Sequence, residues 1–232
     1  MTDTAQTTKK PKQTKSKERV ADFGEVFTAE KEVNAMLNLL PQTIWNKITN
    51  TFLEPACGTG NFLAEILSRK LAIVLKSAQI NKSQKSPKYS KFHYERNAIY
   101  AISSIYGIEL LLDNCNECRK RLLDIFSTHY QTYFKDIDDE VIRVAEFLLT
   151  KNIINGDALT LKDLNDEPII FSEWEFINDI QINRRDYIYR DLIDKASDRE
   201  LPLFSDLGEE AYIPTPIKEY FPIHFLTLYE QG

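Results

Sequence analysis

The run Phe52-Leu53-Glu54-Pro55-Ala56-Cys57-Gly58-Thr59-Gly60-Asn61-Phe62 constrains this chain more than any other stretch. A short apolar segment ends in an acid and passes through a glycine-rich turn into a helix-forming segment. That order of events builds the C-terminal edge of a strand in an open α/β sheet, where nucleotide-like ligands bind. Gly58 and Gly60 lack Cβ and accept positive φ, so the backbone can turn sharply and approach a ligand closely. A polyphosphate loop would carry Lys followed by Ser or Thr after the second glycine, and Asn61 and Phe62 stand there instead. A dinucleotide fingerprint needs a third glycine and no acid ahead of the turn. Glu54 suits a ligand with a positive charge or free hydroxyls.

The same residues resemble the first motif of the S-adenosylmethionine-dependent DNA adenine-N6 methyltransferases of restriction-modification systems. Upstream, Phe23-Gly24-Glu25-Val26-Phe27-Thr28 is similar to the segment that closes over the methionine end of the cofactor in that family. Tyr106-Gly107-Ile108-Glu109 resembles the end of the second strand, whose acid holds the ribose hydroxyls. Asn155-Gly156-Asp157-Ala158-Leu159 resembles the segment whose Asp accepts from the adenine amino group. The resemblance spans roughly residues 20 to 160 and implies a Rossmann-like methyltransferase sheet with flanking helices, short of its full set of strands. It implies S-adenosylmethionine as cofactor, held by Phe27, Thr28, Glu54, Pro55, Ala56, Gly58, Gly60, Asn61, Phe62, Glu109, Asp157 and Ala158.

The chemistry of these positions stands beside the resemblance. S-adenosylmethionine carries a sulfonium, an α-ammonium, two ribose hydroxyls and an exocyclic amine, so its site needs acceptors along an extended ligand. A carboxylate can accept from both ribose hydroxyls, and such charge-assisted bonds are about twice as strong as neutral ones. Taken singly, Glu54 reads as a helix N-terminal charge, Glu109 as a strand-end acid, Asn155-Gly156-Asp157 as a turn, and Phe62 as a core residue of the following helix.

The 232 residues, 43% apolar and 28% charged, suffice for one substantial core. No apolar run approaches the ~18 residues of a bilayer span, and the polar, basic start predicts no signal peptide. A cytoplasmic protein is the expectation. Three cysteines give no disulfide framework. Cys115 and Cys118 have the spacing of half a zinc site, but no further ligands complete it, and helical periodicity reads them as helix-face thiols. Residues 1 to 19 hold five lysines and one arginine against two acids and read as a disordered basic tail. Thr28 is placed to cap a helix over 29 to 40, followed by a strand over 51 to 54 and a helix over 61 to 80. Further helices are expected over 94 to 103, from 112, and over 139 to 149. Strand, helix, strand, helix, strand implies a parallel sheet with right-handed crossovers.

Residues 161 to 232 read as an acidic C-terminal segment of the same domain. The family's catalytic tetrapeptide, an Asn, Asp or Ser followed by two prolines and an aromatic residue, occurs nowhere in the chain. At the expected place, two alternating runs flank Asn178-Asp179 and predict a β-hairpin over 168 to 187 with a two-residue turn. Ser172 and Trp174 are the residues there that correspond to a remnant of the catalytic element. Proline locks φ, and without it the carbonyls that orient a flipped adenine are not held. From Thr160 to Gly232 sixteen acids face seven bases, a balance that repels phosphate. The expected function is therefore an adenine-N6 DNA methyltransferase or its cofactor-binding subunit, reaching DNA through a protein partner. The alternative is a catalytically inactive S-adenosylmethionine-binding or interaction protein of a DNA-modification or phage-defence complex.

Overall fold

The computed structural model describes residues 15 to 198, except 24, 27, 82 and 84, and residues 215 to 232. Phe27, expected at the cofactor, lies outside the described residues, as does the basic stretch from 1 to 14. The chain is an α/β protein with two sheets. In the first, β1 (Phe52–Glu54), β2 (Ile105–Glu109) and β3 (Ile153–Asp157) run parallel, and the two-residue β4 (Lys162–Asp163) adds antiparallel to β3. The expected parallel order holds for three strands, and the fourth makes the sheet mixed.

Helices α1 (Lys17–Phe23), α2 (Glu30–Leu37), α3 (Asn61–Ser77), α4 (Lys91–Ser103), α5 (Leu112–Tyr133) and α6 (Asp139–Asn152) surround that sheet. Along α3, Leu63, Leu67, Leu71 and Val74 are fully buried one turn apart. Each such side chain contributes roughly 1.5–3 kcal/mol through burial. Lys70 lies in the same stripe, and its Nζ donates to Ile48 O at 2.8 Å, to Asn50 O at 2.6 Å and to Ser104 Oγ. Three acceptors match the three protons of an ammonium, while burial lowers its pKa to about 7. Cys115 and Cys118 are buried thiols on α5, as the periodicity requires. Among the described residues no metal-ligating cluster occurs, and no helix is long and apolar enough to cross a membrane.

Several boundaries differ from expectation for local reasons. Helix α1 begins at Lys17, inside the stretch expected to be a disordered tail. Lys15 and Arg19 are held there by ion pairs to Asp113, at 3.3 and 2.7 Å, and Lys15 also pairs with Glu117. Thr28 does not cap α2. Ala29 occupies the cap without a side-chain bond, and the Thr28 carbonyl instead accepts from Asn61 Nδ2 at 2.8 Å. Helix α4 starts three residues early because Ser90 Oγ accepts from His93 N–H.

The second sheet contains the predicted hairpin, β5 (Ile170–Phe176) and β6 (Gln181–Ile188), with β7 (Lys218–Glu219) and β8 (Ile223–His224) both pairing with β6. Four residues, 177 to 180, separate the two strands. Asn178 Oδ1 accepts from the N–H groups of Ile180 and Gln181, at 2.9 and 2.8 Å. That side-chain turn draws Ile180 into the loop, and Ile177 N–H closes it onto Gln181 O at 3.1 Å. Helix α7 (Tyr189–Asp198) follows β6, and a 3-10 helix (Phe225–Gln231) ends the chain.

Candidate functional site

Register brings the sequence-selected acids to one edge. Glu54 stands opposite Gly107 and Glu109 opposite Asn155, so β1, β2 and β3 end in step, with Glu54, Glu109 and Asp157 at their C-terminal ends. The turn after β1 is tied to the next strand by Cys57 N–H donating to Ile108 O at 3.0 Å. Gly58 and Gly60 take φ of 54° and 83°, a region in which side-chain-bearing residues are strained. A Cβ on Gly60 would also stand 2.6 Å from Cys118 Sγ.

Glu109 organises this turn from within. Its Oε2 accepts from Gly58 N–H at 2.9 Å, and its Oε1 accepts from Leu111 N–H at 2.9 Å and from Asn114 Nδ2 at 3.3 Å. Only 8% of the residue is exposed. The acid expected to face a ligand thus also holds the loop that would cradle it. Buried Asn114 bridges on to Glu25 Oε1, which in turn accepts from Arg19 Nη2 at 2.9 Å. A polar chain therefore straps α1 and the segment after it against the glycine turn.

Glu54 is half-buried, and burial raises the pKa of its carboxyl against the opposing effect of Ala56 N–H. Asp157 Oδ1 accepts from Leu159 N–H at 2.8 Å, and both Asp157 and Ala158 are half-buried. Pro55 and Ala56 are exposed at the rim. Asn61, first residue of α3, bonds Thr28 O through Nδ2 and Arg121 through Oδ1, which places Thr28 beside the turn. Phe62 packs against the core, half-buried. Two asparagines that the sequence reading did not select belong to this edge. Asn114 bridges two carboxylates, and Asn155 donates to the carbonyls of Glu109 and Leu110 while its buried Oδ1 has no partner among the described residues. Asn155 was visible only as part of a turn, and Asn114 carried no local signal.

The structure does not bring Ser172 and Trp174 to that edge. Ser172 is 3% exposed, and its Oγ donates to Asp186 Oδ1 at 2.6 Å and accepts from Arg184 Nε at 3.1 Å. Arg184 grips Asp186 with both Nε and Nη2, at 2.8 and 2.9 Å, and Tyr220 OH donates to the same carboxylate. Trp174 is buried and donates through Nε1 to Asn152 Oδ1 at 2.9 Å. Both residues proposed as a catalytic remnant therefore pack the interior of the second sheet, because alternation along β5 turns them to its covered face.

A glycine turn and three acids at the ends of adjacent parallel strands place this chain among α/β proteins with a polar strand-end rim. Comparison with protein-family models, with curated proteins and with solved structures found no match.

Proposed function

We propose that this chain binds S-adenosylmethionine at the strand-end rim and is the cofactor-binding component of an adenine-N6 DNA methyltransferase, with a partner chain supplying the grip on DNA and on the target base. One observation carries the reading: Glu54, Glu109 and Asp157 end three adjacent parallel strands beside a turn with two positive-φ glycines. The Rossmann-like character of the sheet belongs to this proposal. The donor and acceptor set fits the cofactor. Three carboxylates and Asn155 Oδ1, without a partner among the described residues, offer acceptors to an ammonium, hydroxyls and an amine. Bound there, the cofactor would supply an electrophilic methyl group. The chain's own part is to hold the methionine end under Thr28 and the ribose near Glu109.

A second reading is favoured by the burial of Ser172 within the Arg184–Asp186 network. On it, the chain binds S-adenosylmethionine or assembles with a DNA-modification or defence complex without transferring the methyl group.

Calorimetry with S-adenosylmethionine and its demethylated product tests both. Glu109→Gln should weaken binding roughly 10- to 150-fold, matching about 1.5–3 kcal/mol for a bond to a charged group. Absence of binding to the intact chain would remove the first reading and the cofactor-binding form of the second, leaving assembly alone. Labelled methyl transfer to mixed-sequence DNA, with and without candidate partners, separates the first from the second.

A further inference from the structure

Among the described residues, β1 pairs with β2 alone and no strand lies beside its outer edge. Phe52 N–H bonds Ser104 O on the β2 side at 3.0 Å, and successive residues of a strand alternate, so the Leu53 N–H and C=O point the other way. Leu53 keeps 40% of its surface exposed at the centre of the strand.

Two cavities of about 530 and 330 Å³ run beside this edge and share Thr51, Tyr106, Glu173 and Arg185, forming one trough between β1 and the hairpin. One end is apolar, lined by Leu53, Phe171, Tyr187, Tyr189, Leu192 and Ile193. The middle is acidic. Among the described lining residues Arg185 is the only cation, and it is shared by two carboxylates, Glu173 at 3.1 Å and Glu175, each with more than half of its side chain exposed. One guanidinium against two carboxylates leaves a net negative charge that a further cation would neutralise.

We propose that this trough takes an extended segment of a second protein, added as a strand to the free edge of β1. The segment places an apolar side chain in the aromatic end and a Lys or Arg on the same face, an even number of residues away, opposite Glu173 and Glu175. The outward peptide N–H and C=O of Leu53 are matched by another backbone, and alternating side chains then read the trough. The proposal rests on the reading of a partner-dependent component and names where the partner's chain enters.

The test is selection of displayed short peptides on the full chain, counter-selected against the Ile193→Lys variant. Enriched peptides are expected to alternate apolar residues with a Lys or Arg. They should lose at least about tenfold in affinity when the amides facing β1 are N-methylated, as loss of one or two hydrogen bonds requires. Ile193→Lys should weaken them similarly while leaving melting and cofactor affinity unchanged. No enrichment, or binding that survives N-methylation, overturns strand addition. A dimer in sedimentation that Ile193→Lys dissolves would replace the second protein by a second copy and overturn the proposal as stated. Calorimetry on the same preparations keeps the outcomes apart, because loss of cofactor binding with peptide binding intact removes the functional reading alone.

Discussion

Carboxylates at the strand-end rim and in the hairpin sheet are held in opposite ways. Glu109 accepts from the N–H groups of Gly58 and Leu111 and the Asn114 amide, all neutral donors that bring no counter-charge. Asp186 accepts twice from the Arg184 guanidinium and once each from Ser172 and Tyr220. Those four bonds use the whole accepting capacity of a carboxylate and cancel its charge. The rim retains the means to attract a cationic or hydroxylated ligand, whereas the hairpin has directed the same chemistry inward to hold itself together.

Removing the hairpin carboxylate should have the largest effect. Asp186→Ala leaves Arg184, 4% exposed, without its counter-charge, and is expected to cost about 3–5 kcal/mol in urea unfolding. A loss within experimental error would mean that the pair is solvated and that the two regions do not differ. Lys70 extends the comparison to the far end of the first sheet. Lys70→Met strips the donor from Ile48 O and Asn50 O, and should cost about 1–3 kcal/mol. Burial lowers the Lys70 pKa to about 7, so between there and its ordinary 10.5 the unfolded chain holds a proton that the folded chain gives up. Stability should therefore gain from this group as pH rises through that window, and Lys70→Met should remove the gain. A variant with an unchanged pH slope would show that the three acceptors keep the ammonium charged throughout.

The smallest effect is the most discriminating for function. Ser172→Ala removes one hydroxyl from the network while Arg184 and Asp186 stay paired, for about 1 kcal/mol and no change in cofactor affinity. If it instead abolished methyl transfer by the isolated chain with melting intact, the hairpin would contain a working catalytic element and the contrast with the rim would fail.

What the sequence made legible was local. Gly58, Gly60 and the acid before them announce a strand, a turn and a helix within eleven residues, and alternation around Asn178 announces the hairpin. The rest depended on contacts between distant segments. Asn114 meets Glu25 across 89 positions, and no pattern near either residue marks it. Arg184 and Asp186 lie two apart on one strand, but their burial follows from the aromatic faces packed over them, with Tyr220 at 4.2 Å and Trp174 at 5.4 Å from the guanidinium. Thr28 had the right side chain for a cap, but α2 begins after Ala29, which offers no side-chain bond, and it is the Thr28 carbonyl that is used, by Asn61.

The amide of Asn114 has a mechanical consequence. It donates to Glu25 on the covering segment and to Glu109 beneath the glycine turn, so the strap and the cradle share one latch. Loss of either acceptor, Glu25 or Glu109, therefore unfastens the α1 segment and the glycine turn from each other at a single amide.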